Sequence, residues 1–238
     1  MSGLYHAWVY LQSGPLLGLT ATLLAWQAAN WLDERTRHAA WSNPVMIAIV
    51  LLALVLIATG TSYRSYFNGA QYVQFLLGPA TVALAVPMYA NLGTIRRNFV
   101  PILLSMTAGS AVAAISAMLI VEALGAPRAV VISIAPKSVT TPIAMGISQD
   151  LGGLPALTAI FVLITGVFGG LIALPLFRLL GIRDRRAQGL AGGTAAHGLA
   201  TARLLLESDT AGAFGGLAIG LNGLITAIMV PLFVRWLL

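Results

Sequence analysis

Between positions 99 and 124 the chain carries a single ionisable residue, Glu122. At 1.5 Å of rise per residue, a helix of that length crosses the roughly 30 Å of hydrocarbon in a bilayer. Hydrophobic residues make up 58% of the 238 and charged residues 8%, with a mean hydropathy of +0.90, more apolar than a domain with a polar surface can be. The chain reads as an all-α, polytopic membrane protein, a single transmembrane domain over 1–238. Its 25 glycines and 11 prolines fit helices that are closely packed or interrupted. The excess of 13 Lys+Arg over 7 Asp+Glu does not imply nucleic acid, because the arginines are scattered through short loops rather than gathered in a solvated basic stripe. The lack of cysteine excludes disulfides and thiolate metal sites. The first apolar run has no Lys or Arg before it and is too long for a signal-peptide core, so it is expected to be retained.

About eight hydrophobic segments follow from the pattern. The first, 7–32, is interrupted at Gly14-Pro15 and Gly18 and ends in a charged loop at 33–37. The second, 44–60, precedes a polar link, 61–69, whose tyrosines read as an interfacial belt. Segment 76–87 has prolines near both ends and leads to a loop with Arg96 and Arg97. Then come 99–124, 128–149, 154–180, 189–203 and 212–238. Gly212, Gly216 and Gly220 form a ridge for close packing within the chain or across a dimer seam. The cluster from Arg178 to Arg186 is placed in the cytoplasm. The arginines do not choose between eight crossings and a topology in which the segments around Pro79 and His197 dip in and return; both put Arg96 and Arg97 outside. At one constant offset Pro79, Val82, Met88 and Gly109 fall on Pro136, Val139, Met145 and Gly166. A proline-broken segment followed by a long span thus occurs twice, with approximate repeat halves 1–125 and 126–238. Broken helices at matching places in a repeat point to secondary transporters.

Segment 135–144, Ala-Pro-Lys-Ser-Val-Thr-Thr-Pro-Ile-Ala, sets the chain's only lysine among three hydroxyls and two prolines. A lysine at the centre of a spanning helix costs about 2.5–3.5 kcal/mol on insertion scales, and prolines remove backbone donors. Such a stretch belongs where it is buried in protein or lines a wet cavity, and it reads as a functional site. If it is helical, Lys137, Thr140 and Thr141 share a face at i, i+3 and i+4, with Ser138 beside them. Pro136 and Pro142 would free backbone groups near the same place. In 193–203, Gly-Thr-Ala-Ala-His-Gly-Leu-Ala-Thr-Ala-Arg, the residues Thr194, His197 and Thr201 likewise share a helical face. A 2-hydroxy or 2-keto acid needs a cation or helix N-terminus for its carboxylate and hydroxyls for its second oxygen, and these segments offer both.

Plainer readings stand beside these. Lys137 satisfies the carbonyls of a broken helix or pairs with an acid such as Asp150. His197 is a hydrogen-bonded core residue instead of a proton carrier. Arg203 snorkels to the interface instead of clamping a carboxylate. Thr81, beside Pro79, bonds back to its own helix instead of lining the site. No His-Glu-x-x-His, Gly-x-Ser-x-Gly or Gly-x-x-x-x-Gly-Lys occurs, so neither an enzyme nor a metal or cofactor site is expected.

Three stretches in order, 78–89 (Gly-Pro-Ala-Thr-Val-Ala-Leu-Ala-Val-Pro-Met-Tyr), 136–144 and 193–203, resemble the LrgB/CidB family of antiholin-like bacterial membrane proteins, whose module also occurs in the plastid glycolate/glycerate translocator. The likeness runs from about Asn43 to the C-terminus. It implies a multi-pass protein of the bacterial inner (cell) membrane, often working with a smaller LrgA/CidA-type partner. It also implies one of two roles: transport of small monocarboxylates, or holin-like control of murein hydrolase export and cell lysis. Where that family places a glutamate three residues after the motif's arginine, this chain has Leu206, with Glu207 next to it. The residues and the resemblance together point to a dimeric secondary transporter for a small carboxylate anion. Lys137, Ser138, Thr140, Thr141, Pro142, Thr194, His197, Thr201, Arg203, Pro79 and Thr81 are its candidate site, and His197 is its candidate proton carrier.

Overall fold

The structure, a computed structural model, describes residues 15–36, 42, 44–76, 79, 82–83 and 85–238. Every regular element among them is a helix. The chain divides into two compact units, Met1–Ala83 and Leu84–Leu238.

In the first unit α1 (Pro15–Arg35) packs against α2 (Pro44–Thr59) and α3 (Tyr63–Phe75). Small residues make the contact possible. Ala25, Ala29 and Ala48 form its buried core, and at Gly18 a Cβ would run into the Tyr66 carbonyl. The Thr22 hydroxyl lies 2.9 Å from that of Tyr66, so Tyr66 takes part in this packing; most of the expected polar link, from Tyr63 on, is helix α3. The charge cluster expected to be a loop from position 33 is instead the last turn of α1 through Arg35, where buried Asp33 accepts a 2.8 Å hydrogen bond from Ser42. Residues 7–14 of the first expected segment lie outside the described residues.

In the second unit α4 (Ala85–Ala90) and α5 (Leu92–Arg97) lead into α6 (Phe99–Ala123). There follow α7 (Arg128–Ile134), α8 (Thr141–Asp150), α9 (Pro155–Leu179), α10 (Arg185–Glu207) and α11 (Asp209–Leu237). Arg96 and Arg97, expected in a loop, close α5. Among the described residues α6, α9 and α11 are the three helices long and apolar enough to cross a membrane. Their outer faces expose Val112 and Ile120, Phe168 and Ile172, and Leu224 and Ile228, the surface that lipid would cover.

Cluster membership gives their directions. Ile102 and Met106 of α6 pack with Phe214 and Ala218 of α11, whereas Ala114 and Met118 pack with Val230 and Val234, so the two helices run the same way. The end of α9, at Ala173, Leu174 and Phe177, packs with Ala211 at the start of α11, so α9 runs against them.

Between these spans the chain twice doubles back. Ala126 before α7 and Leu151 after α8 join one cluster with Val234 and Leu238 at the end of α11. The Leu154 amide donates to Ser133 at 2.8 Å across the same junction. Segment 128–149 is therefore a hairpin and not the single crossing that both sequence topologies assume. The cause is local: Pro136 and Pro142 bracket the break, and α7 and α8, of 7 and 10 residues, are each too short to span.

The second hairpin is α10, entering from the opposite end. Its outgoing half follows α11, with Gly189 against Ala211 and Gly193 against Gly215, and its return half runs back with Thr201 on Gly215 and Leu205 on Gly212. Gly192 has no room for a Cβ beside Leu204, which is how closely the two halves lie. Of the proposed glycine ridge, Gly212 packs on Leu205 of the same chain and Gly220 faces open space; the tighter seam is Gly189, Gly193 and Gly215.

Gly193→Val would push a branched side chain into the Gly215 carbonyl and the Ala218 methyl. It is expected to lower stability by about 1–3 kcal/mol. Gly220→Ala should stay within about 0.5 kcal/mol of wild type. Unfolding of the detergent-solubilised protein, followed by the far-UV signal, checks the pair.

Candidate functional site

The two hairpin tips meet on α9 and α11. Asn222 of α11, 1% exposed, donates from its side-chain amide to the Ser138 carbonyl of the first tip at 3.1 Å and to the Thr194 carbonyl of the second at 3.0 Å. Its oxygen accepts from Ser110 of α6 and from Thr226 at 3.3 Å. That uses the amide's full capacity of two donors and two acceptors. Because the two carbonyls can only accept, the amide's orientation follows from the network. On the other side, Val162 of α9 packs with Val139 and Ala144 of the first tip, and its carbonyl sits 3.1 Å from His197 Nε2. Nε2 must therefore carry the proton.

Each tip is broken for its own reason. In the first, α7 stops before buried Pro136, and Pro142 is the second residue of α8, in the first turn, where its missing N–H costs nothing. Residues 135–140 between them are not helical. The expected helical face of Lys137, Thr140 and Thr141 does not form, and Lys137 instead sits in the turn, half-buried. Its ammonium donates to the Ser138 hydroxyl at 3.3 Å, and among the described residues it pairs with no acid, Asp150 included.

In the second tip α10 breaks at Ala196 and His197, and His197 has φ 44° and ψ −134°. A side chain in that region costs about 1–3 kcal/mol and persists only where its surroundings hold it. Here the Val162 bond holds the ring, and Gly166 makes room, since a Cβ there would strike His197. The kink likewise breaks the expected face of Thr194, His197 and Thr201.

Each tip holds the end of one helix and the start of the next, so backbone carbonyls and amides both face the meeting point. α8 and the return half of α10 both begin there, each presenting a helix N-terminus to the meeting point. Thr140 is the N-cap of α8 with its side chain making no capping bond, and Thr141 is the first residue of the helix; both are half-buried with hydroxyls uncommitted among the described residues. Buried Thr194 lines a cavity of about 380 Å³ against Ser105, Met106 and Gly109 of α6.

Other candidates are placed differently. The Thr201 hydroxyl bonds back to the His197 carbonyl at 2.9 Å. Arg203 is half-buried with an interaction of its own, and Pro142 is exposed. Pro79 is exposed and belongs to the first unit, and Thr81 lies outside the described residues. Asn222 was not among the candidates, although a lone amide inside an apolar span is the signal that marks it.

At the far end of the second hairpin, Asp184 caps α10, accepting from the Arg186 amide at 2.8 Å. The Arg186 guanidinium and this amide hold its carboxyl down to about 2. The cap therefore stays ionised through the neutral range, and its contribution, present above the ordinary carboxylate range, is lost only as pH falls toward 2.

The LrgB-like family matches this chain over residues 22–236, further toward the N-terminus than the motifs alone reach. An uncharacterised protein of Bacillus subtilis, YxaC, is 38% identical over 82% of this chain and 84% of its own. The holin-like protein CidB of Staphylococcus epidermidis is 26% identical over 94% of this chain and 97% of its own. The antiholin-like protein LrgB of Bacillus cereus is 27% identical over the same shares. No solved structure matches the chain.

Asn222→Asp keeps the shape and removes both donations to the tips. A loss of at least about 2 kcal/mol is expected, since two buried carbonyls lose their partner. His197→Gly relieves the positive φ that His197→Ala retains, so the glycine variant should be the more stable of the two by about 1 kcal/mol. Denaturant titration of the four proteins, wild type included, reads both differences.

Proposed function

This chain belongs to the LrgB-like family, and on that footing we propose that its hairpin tips bind a small monocarboxylate, of the glycolate, glycerate, pyruvate or lactate class, in a secondary transporter. The observation that carries this reading is the meeting of two broken hairpins, entering from opposite ends, at a point supplied with two helix N-termini, Lys137 and unspent hydroxyls. Each hairpin is followed by a long span, and the two hairpin-plus-span units point opposite ways, the arrangement by which carriers place a substrate near the middle of the bilayer. The outgoing half of α10, from Arg185 to the kink, reaches about 15 Å, half of the hydrocarbon thickness.

In this mechanism Lys137 and the N-terminus of α8 hold the carboxylate, and Ser138, Thr140 and Thr141 take the second oxygen. Thr194 faces the substrate from the second tip. His197, with Nε2 committed to Val162, takes the coupled proton on Nδ1. Arg203 acts at the mouth of the second hairpin. Because segment 128–149 turns back instead of crossing, Arg96 and Arg97, expected outside, lie at the same end as Arg178, Arg183, Arg185 and Arg186; this arginine-rich end is the cytoplasmic one, with Arg128 and Arg235 at the other, in keeping with the positive-inside bias. Alternating access would break and remake the Asn222 bonds to the tips as the hairpins move against α6 and α11.

The names of its relatives favour a second reading more than they favour carboxylate transport: holin-like or antiholin-like action, for this chain control of murein hydrolase export and lysis with an LrgA/CidA-type partner and self-assembly. The site itself favours the carrier, because an assembly function has no use for a lone lysine among free hydroxyls at the junction of two broken helices.

Proteoliposomes holding the protein should take up radiolabelled pyruvate or glycolate saturably, faster with an inward proton gradient. Lys137→Ala should reduce uptake at least about tenfold, the effect of losing a charge-assisted bond of about 1.5–3 kcal/mol, with assembly unchanged. Absence of uptake by folded wild type, also with an LrgA-type partner present, would move the weight to the lysis reading.

A further inference from the structure

At the end where α9 stops and α10 both starts and finishes, Arg178, Arg183 and Arg185 line one cavity of about 550 Å³. Its polar wall is held in place. Gln188, 6% exposed, donates to the Ile182 carbonyl at 2.7 Å and accepts from the Arg185 guanidinium at 3.0 Å, which fixes one arginine at the rim. Asp184, the nearest acid in sequence, is spent on Arg186 at 2.6 Å. Glu207 lines the same cavity, yet among the described residues it forms no ion pair with any of the three arginines. Three guanidinium groups against one carboxylate leave a concave site with a net positive field.

The surroundings of the cavity decide what suits it. Phe177 and Ile182 give it an apolar wall, and Leu179 and Leu180, between the lining residues Arg178 and Gly181, and Leu206, next to Glu207 of the lining, are 82%, 61% and 76% exposed. A free anion would satisfy the arginines and leave these leucines bare. An amphiphile satisfies both. We propose that this cavity is a binding site for an anionic phospholipid, its phosphate held by Arg178, Arg183 and Arg185 and its chains lying along Leu179, Leu180 and Leu206. Guanidinium groups suit phosphate oxygens through their paired donors, and basic pockets at the ends of spans take such headgroups. The site is separate from the hairpin tips and stands whether or not a carboxylate is carried. It also gives Glu207 a consequence: a carboxylate in the pocket selects against a second negative charge close to that wall.

The test uses the full chain in detergent, titrated with phosphatidylglycerol or phosphatidylcholine and weighed with its lipids by native mass spectrometry. Phosphatidylglycerol should be retained preferentially, and Arg183→Gln and Arg185→Gln should each weaken that preference about fivefold. Rising salt should erode it. Arg96→Gln with Arg97→Gln, charges at the same end but outside the cavity, should leave it unchanged. Inorganic phosphate, added alone, should neither displace the lipid nor raise the melting temperature. Equal retention of the two lipids, an equal loss in the Arg96/Arg97 control, or protection by inorganic phosphate as strong as by lipid would each overturn the proposal.

Discussion

One buried amide decides how the second unit is put together. A hairpin that stops halfway through an apolar protein leaves carbonyls and amides at its tip with no water to meet them, and each such group costs several kcal/mol if left alone. Asn222 answers one carbonyl from each tip and is itself held by Ser110 and Thr226. The tips are therefore fixed against the same span, and against each other, by a group that neither hairpin supplies. Val162 makes the complementary contact from α9 with a methyl surface on one tip and a carbonyl on the other.

The glycines give that junction its geometry. Donors and acceptors on α10 and α11 come within reach only if the helix axes approach closely, and Gly189, Gly193 and Gly215 allow it because a side chain at any of them would overlap the facing helix. Gly166 does the same for the imidazole of His197. The composition that marked this as a membrane protein and the close packing that builds its site are thus one property seen at two scales. Where water drives no apolar burial between helices, contact must come from close backbones and buried polar bonds.

How much of this was legible depended on whether the signal was local. The spans α6, α9 and α11 were readable because hydropathy over a helix length is local, and their ends fall close to the expected ones. The first break was readable from Pro136 and Pro142, which act on their own neighbours. The second was only half readable. Glycine content implied an interrupted segment, but the positive φ fell on His197 and not on an adjacent glycine, and only the Val162 carbonyl and the space at Gly166 account for that. Helical-face arithmetic for Lys137, Thr140 and Thr141 failed for a different, local reason. It assumed continuity through residues that the prolines had already taken out of the helix. Asn222 carries no charge and sits in an unbroken apolar span, so neither a charge nor a break singles it out, although a neutral amide in lipid needs partners almost as much as a charge does.

The strain at His197 argues for more than packing. Gly198 is the next residue, and a kink displaced by one position would have placed the positive φ where it costs nothing. Keeping the histidine there spends stability to hold an imidazole, by Nε2, at the base of a helix N-terminus and beside the other tip. A core histidine needing only a hydrogen bond could find one from an ordinary helical backbone. Observed backbone strain of this kind motivates a functional reading, and here it falls on a residue whose second ring nitrogen makes no hydrogen bond among the described residues. The assembly reading gives that nitrogen no task, whereas in a carrier the imidazole would gain and lose its proton as the two hairpins change their exposure.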